Sequence, residues 1–143
     1  MSILVDSSVL AAGTAQHHPA FGECRQWLRS TGARTELAFT THAVAELYST
    51  FTHPRGMFRM TPREATLIII RLRNRLRIVP LSGADYYKVL ATAVGKHVLN
   101  GNVYDVLHAQ AARRIGARRI ATLNTKHFRQ FWPPSQLIDP TRL

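Results

Sequence analysis

Short apolar runs of strand length alternate with longer segments of helical period along the whole chain, and few folds accept that rhythm. ILV (3–5), ELAFTT (36–41), RIVPL (77–81), RRIATL (118–123) and QLID (136–139) read as strands, QLID as a last edge strand. Between them lie segments with apolar residues at helical spacing. DSSVLAAG turns into a helix that stops at Gly13, and HPAFGECRQWLRSTG sets Phe21, Cys24, Trp27 and Leu28 on one face before Gly32. HAVAELYSTF does the same with Val44, Leu47, Tyr48 and Phe51. Strands that alternate with helices call for a parallel sheet covered on both faces. The expected fold is therefore α/β: a three-layer sandwich whose central parallel sheet has four to five short strands flanked by helices. No repeat, low-complexity stretch or linker divides the chain, so residues 1–143 are expected to form one domain.

Local signals sharpen several boundaries. Thr61 can cap a helix, Pro62 suits its first turn and Glu64 completes a capping box, which predicts a helix running to about Arg75. SGADYYKVLATAVGKH (82–97) is a further helix. VYDVLHAQAARRIG carries a stripe of Tyr104, Leu107, His108, Ala111 and Ile115 that ends at Gly116, and NTKHFRQFW is a short helix closed by Pro133 and Pro134.

Charge and cysteine content bound the function. The 19 Lys and Arg outweigh 8 Asp and Glu, for a net charge of +11, which implies attraction to a polyanion or to an acidic protein. Most of the basic residues are arginine, whose planar fork suits phosphate and carboxylate. Cys24 is the only cysteine, so an internal disulfide and a cysteine zinc site are both excluded, as suits a reducing cytoplasm. The longest apolar run, TLIII at 66–70, stops at Arg71, far short of the roughly 20 residues of a membrane span. The N-terminus does not read as a secretory leader, because Asp6 interrupts its apolar core and the first basic residue is Arg25.

Ligand sites in open parallel sheets form beyond the carboxyl ends of the strands. Asp6 ends the first strand there, and Asn124 ends the IATL strand, with Thr122 just before it. Glu46 and Asp105 sit early in helices, beside the apolar stripes. Three carboxylates and a carboxamide brought together form an oxygen-only donor set that suits magnesium or manganese. Spacing alone leaves each acid open to a plainer role. Asp6 fits a helix cap, Asp105 fits the dipole of its own helix, and Glu46 fits a surface ion pair.

VDSSV (5–9), AELY (45–48), GNVYDVLHAQAA (101–112) and ATLNTKHF (121–128), in that order and spread over almost the whole chain, resemble a PIN domain. More narrowly they resemble the VapC-type toxin ribonucleases of toxin–antitoxin pairs. The resemblance implies that Asp6, Glu46 and Asp105 bind magnesium or manganese, and that the ion directs water at RNA to leave a 5′-phosphate. The fourth family position, frequently aspartate, falls on Asn124, which supplies an amide oxygen but no charge. Ser7 and Thr122 match small hydroxyl positions near the site, where a supporting role is implied. A homodimer and an acidic cognate antitoxin are implied as well.

His42 and Glu46 stand at i, i+4 but lack the second histidine of a zincin helix, and His108 fits a buried, hydrogen-bonded histidine. In HPRGMFRM (53–60), Arg55, Phe58 and Arg59 have the chemistry to clamp phosphate and stack a base, or to meet an acidic antitoxin segment. The expectation is thus a metal-dependent endoribonuclease that acts as a toxin in the cytoplasm, without a membrane. The rival is a non-catalytic basic module that holds RNA or protein. A small-nucleotide enzyme ranks last, for want of a glycine-rich loop after the first strand.

Overall fold

The computed structural model describes residues 1–143. Its strands are β1 (Ser2–Val5), β2 (Glu36–Thr40), β3 (Arg77–Val79), β4 (Arg119–Ala121) and β5 (Leu137–Ile138). They form one sheet in the order β3-β2-β1-β4-β5, and every pairing is parallel. β1 sits at the centre, with Leu4 paired to Ala38 on one side and to Ile120 on the other. The five strands and the edge position of QLID agree with the sequence reading. RIVPL and RRIATL each contribute only three paired residues, so their outer residues serve as connections.

The helices are α1 (Ser7–Thr14), α2 (Phe21–Gly32), α3 (Thr41–Thr52), α4 (Pro62–Arg75), α5 (Gly83–Gly95), α6 (Val103–Arg114) and α7 (Thr125–Phe128). Strand alternation divides them between two cores. Ile3, Val5, Leu37 and Phe39 point to one face and pack with α1 to α4, while Leu4, Ala38 and Ile120 point to the other and pack with α5 and α6. α6 is buried without a break from Val106 to Ala112. That explains why an apolar stripe is a poor description of it: Tyr104, assigned to the stripe, is 46 % exposed. Tyr48 likewise turns outward from α3, where Leu47 and Phe51 are buried.

Caps set the helix entries. Thr61 Oγ1 accepts from the Glu64 N–H and Glu64 returns a bond to the Thr61 N–H, the expected capping box. Ser82 and Asp85 build a second one on α5, and Asp85 then reaches across to Gln110 and Arg114 on α6. Gly116, at φ +69, ends α6 in a left-handed turn that only glycine adopts cheaply. NTKHFRQFW closes early, since α7 stops at Phe128 and a turn then drops Phe131 and Trp132 into the core.

Candidate active site

Strand order reverses between β1 and β4, because β2 and β3 lie to one side and β5 to the other. Such a switch point leaves a crevice at the carboxyl ends of the strands. Asp6, the residue after β1, lies at this point, and the Asp6 N–H still donates to the Ala121 carbonyl at 2.9 Å.

Asp6 stands at the cap position of α1, yet its side chain does not cap the helix. Instead Oδ2 accepts from Ser8 Oγ at 2.7 Å and from Thr122 Oγ1 at 2.8 Å. Both hydroxyls are themselves fixed by backbone N–H groups that follow β4. Leu123 N–H donates to Ser8, and Asn124 N–H donates to Thr122 at 2.9 Å. A hydroxyl from the end of β4 and one from the first turn of α1 thus orient the carboxylate, and Oδ1 is left to face the interior. Ser7 contributes less, with its hydroxyl 3.5 Å from Oδ1.

Oδ1 faces His108. This imidazole is fully buried, and its Nε2 lies 3.3 Å from Asp6 Oδ1 and 2.7 Å from Glu46 Oε1, while Nδ1 lies 3.5 Å from Thr40 Oγ1. Burial works to lower the His108 pKa, but Asp6, Glu46 and Asp105 around the ring outweigh it and the net shift is upward. Glu46 therefore pairs with a buried histidine and not with a surface arginine. His42 stands 3.9 Å from the same Glu46 oxygen, stacks on Tyr104 with ring centroids 4.9 Å apart, and keeps a buried Nε2 without a hydrogen bond.

Asp105 lies in the first turn of α6. Its pKa is pushed up to about 6, first by burial and then by the charge of Asp6, with His108 and His127 opposing. His127 Nδ1 is 3.5 Å from Asp105 Oδ2. A carboxyl shifted this way lacks enough positive charge nearby, and a hard divalent cation is the group that would supply it. The donor chemistry fits such an ion, although no three His, Cys, Asp or Glu side chains form a ready-made metal cage.

The remaining sequence candidates sit around this centre. Asn124 borders a cleft that it shares with Ser8. Arg55 and Arg59 are exposed, while Phe58 is half-buried and packs edge-on against Phe51 at 5.5 Å. The sequence does not single out Ser8 or Thr40, and it gives His108 as a buried, hydrogen-bonded histidine without a link to the acids. For Ser8 the doubled serine after Asp6 was the available signal. Thr40 and His108 are joined to the site only by folding.

A family model of the PIN domain matches residues 3–131. Among solved structures, VapC20 of Mycobacterium tuberculosis, a Sarcin-Ricin loop cleaving toxin, superposes with a TM-score of 0.74 at 16% identity, covering 92% of this chain and 97% of that one. VapBC2 from Rickettsia felis, bound to a promoter DNA fragment, gives 0.70 at 18% identity over 96% and 97% of the two chains. FitAcB from Neisseria gonorrhoeae gives 0.63 at 17% identity over 99% of each. At these identities the likeness is one of fold. No curated protein matches the sequence.

Proposed function

Since this chain belongs to the PIN domain family, we propose that it is a metal-dependent endoribonuclease, the toxin of a toxin–antitoxin pair, in which Asp6, Glu46 and Asp105 hold magnesium or manganese and Asn124 completes the shell. The observation that carries this reading is the crowding of acid at one strand-end crevice: Asp105 is held up at about 6 by burial and by Asp6. A basic chain has little reason to gather one buried and two partly buried carboxylates beside a phosphate-binding surface unless a cation joins them.

When bound, the divalent ion supplies the positive charge that lowers the pKa of water and stabilises charge growing on a phosphodiester. The protein's part is orientation. Ser8 and Thr122 fix Asp6 from below through Oδ2, which holds the carboxylate in one orientation. His108 steadies Glu46, and Thr122 carries the Asn124 backbone on the same hydroxyl. His127, half-exposed, lies beside Asp105 at the edge of the site, its Nδ1 3.5 Å from Asp105 Oδ2. The partners proposed with this function are an RNA substrate, an acidic antitoxin and a second copy of the chain. No helix is long and apolar enough to cross a membrane.

One observation favours the non-catalytic rival: His108 already partners Asp6 and Glu46 without a metal. Purified chain free of antitoxin, incubated with RNA and manganese or magnesium, separates the two. The nuclease reading expects cleavage that stops with chelation and with Asp6→Asn. Cleavage that survives both, or RNA binding with no cleavage under any divalent ion, overturns it.

A further inference from the structure

A cleft of about 600 Å³ opens from Ser8 and Asn124 at the edge of the carboxylate cluster and runs toward the loop after α3. Ser8 bonds Asp6, so this cleft begins at the proposed scissile position. Its walls combine two kinds of group. His18 and Phe58 present nearly parallel rings, with centroids 6.2 Å apart and an interplanar angle of 17°. Arg55 stands beside them, exposed, and Met57 adds an exposed apolar edge. Arginine ion pairs are confined to Arg77, Arg114 and Arg142, so the Arg55 guanidinium is free.

The loop that carries Arg55 is built, not slack. His53 Nδ1 accepts from the Arg55 N–H at 3.0 Å, and the Gly56 N–H donates to the His53 carbonyl. A Cβ at Gly56 would lie 3.3 Å from the His53 Cβ and carbonyl, so the turn is tight there. The loop returns to α3 through the Met60 N–H to the Phe51 carbonyl at 2.8 Å and through Phe58 against Phe51. Between those two anchors Arg59 is held left-handed at φ +44, a strained conformation for arginine that the surroundings impose. His18 is fixed by the Ala20 N–H on its Nδ1, and burial lowers its pKa, so near neutrality it offers an uncharged ring.

A flat face, an apolar edge and a free guanidinium at a fixed spacing match one unpaired nucleotide: its base meets the rings and its phosphate meets the arginine. We propose that this cleft is a nucleotide subsite flanking the scissile bond, gripping one unstacked base against His18 and Phe58 with the adjoining phosphate on Arg55, so that the RNA substrate is single-stranded there. This assignment rests on the nuclease reading for its place beside the cut, but not for its binding chemistry.

Binding is measured by fluorescence anisotropy on the full chain in chelator, where no metal-dependent cutting occurs. The probes are a short labelled oligouridine, a blunt RNA duplex and an oligoglutamate peptide. Phe58→Leu, which removes the aromatic face but keeps an apolar side chain against Phe51, is expected to weaken oligouridine binding roughly fivefold or more and to leave the duplex unchanged. Arg55→Ala is expected to weaken oligouridine and to lower its salt slope by about one. Should Phe58→Leu fail to fold, His18→Leu carries the same expectation. Equal losses for single strand and duplex, or no loss for either, overturn the subsite. So does an oligoglutamate peptide that depends on Arg55 while oligouridine does not, which would make the cleft a protein-docking site. If a chain that cuts RNA lacks the pattern, the subsite fails alone. If a chain that cuts nothing shows the pattern, the nuclease reading fails and the binding subsite stands.

Discussion

His108 Nε2 stands 2.7 Å from Glu46 Oε1 inside the fold, and the same nitrogen lies 3.3 Å from Asp6 Oδ1. One buried ring thus gathers a strand end and two helices around the acids. Without it, Asp6 and Glu46 would face each other with no cationic partner, and removing one member of a buried pair costs about 3–5 kcal/mol. His108→Leu is expected to lower stability by about 3 kcal/mol at neutral pH, read from the urea midpoint. Added manganese should return part of that loss, because the carboxylates then regain a counter-charge. An unchanged midpoint would show that the imidazole carries no structural charge.

Thr122 occupies a different position in the same network, donating to Asp6 Oδ2 while accepting from the Asn124 N–H. Valine has nearly the same shape and neither function. Thr122→Val is expected to cost about 1–3 kcal/mol and to reduce RNA cleavage, since the buried Asp6 carboxylate and the Asn124 N–H each lose a partner. Thr122→Ser keeps the hydroxyl and should stay near wild type in cleavage. If valine and serine variants cut RNA equally well, the hydroxyl does not position Asp6.

What was legible in the sequence is what local chemistry decides. Thr61, Pro62 and Glu64 announce the start of α4 within four residues, and the capping box follows. The parallel sheet is legible for a similar reason, because five apolar runs separated by helices leave few other arrangements. Asp6 was placed at a strand end, but whether it capped α1 or pointed elsewhere depended on Thr122, whose hydroxyl arrives from 116 residues away. The Glu46–His108 bond spans 62 positions and has no local signature. The outward turn of Tyr48 and Tyr104 was illegible for the converse reason. Helical spacing assigns a residue to a face, and tertiary packing decides how far that face is covered.

Asp85 gives the stability a definable acid limb. The Ser82 backbone N–H, followed by Gln110, the Ser82 hydroxyl and Arg114, holds its carboxyl at about 2, below the ordinary 3.8, against the opposing effect of burial. A carboxyl depressed by folding stabilises the native state fully at pH values above its unfolded pKa of about 4, where both states are ionised. As pH falls from there through about 2, the unfolded chain takes up its proton first and the contribution drains away. The stability gap between wild type and Asp85→Asn is therefore expected to be flat above about pH 4 and to close toward pH 2, measured by urea unfolding across that range. A gap that does not vary with pH would mean that Asp85 acts through packing alone.

Asn124 tests how many charges the crevice is built to carry. Its backbone hangs on the Thr122 hydroxyl that also serves Asp6, and its side chain borders the cleft that starts at Ser8. Aspartate at this position would add a fourth carboxylate to a cluster in which Asp105 is already held up at about 6. Without a divalent cation, Asn124→Asp is expected to lower stability by about 1 kcal/mol through like-charge repulsion, a fall of roughly 3 °C in Tm. With manganese the order should reverse. A ligand that binds only the folded state stabilises by an amount that grows with its affinity, and an added carboxylate raises that affinity. The manganese-induced rise in Tm should then be largest for Asn124→Asp, smaller for wild type and smallest for Asp6→Asn. Equal rises for wild type and Asn124→Asp would place the residue outside the metal shell and leave three carboxylates to hold the ion.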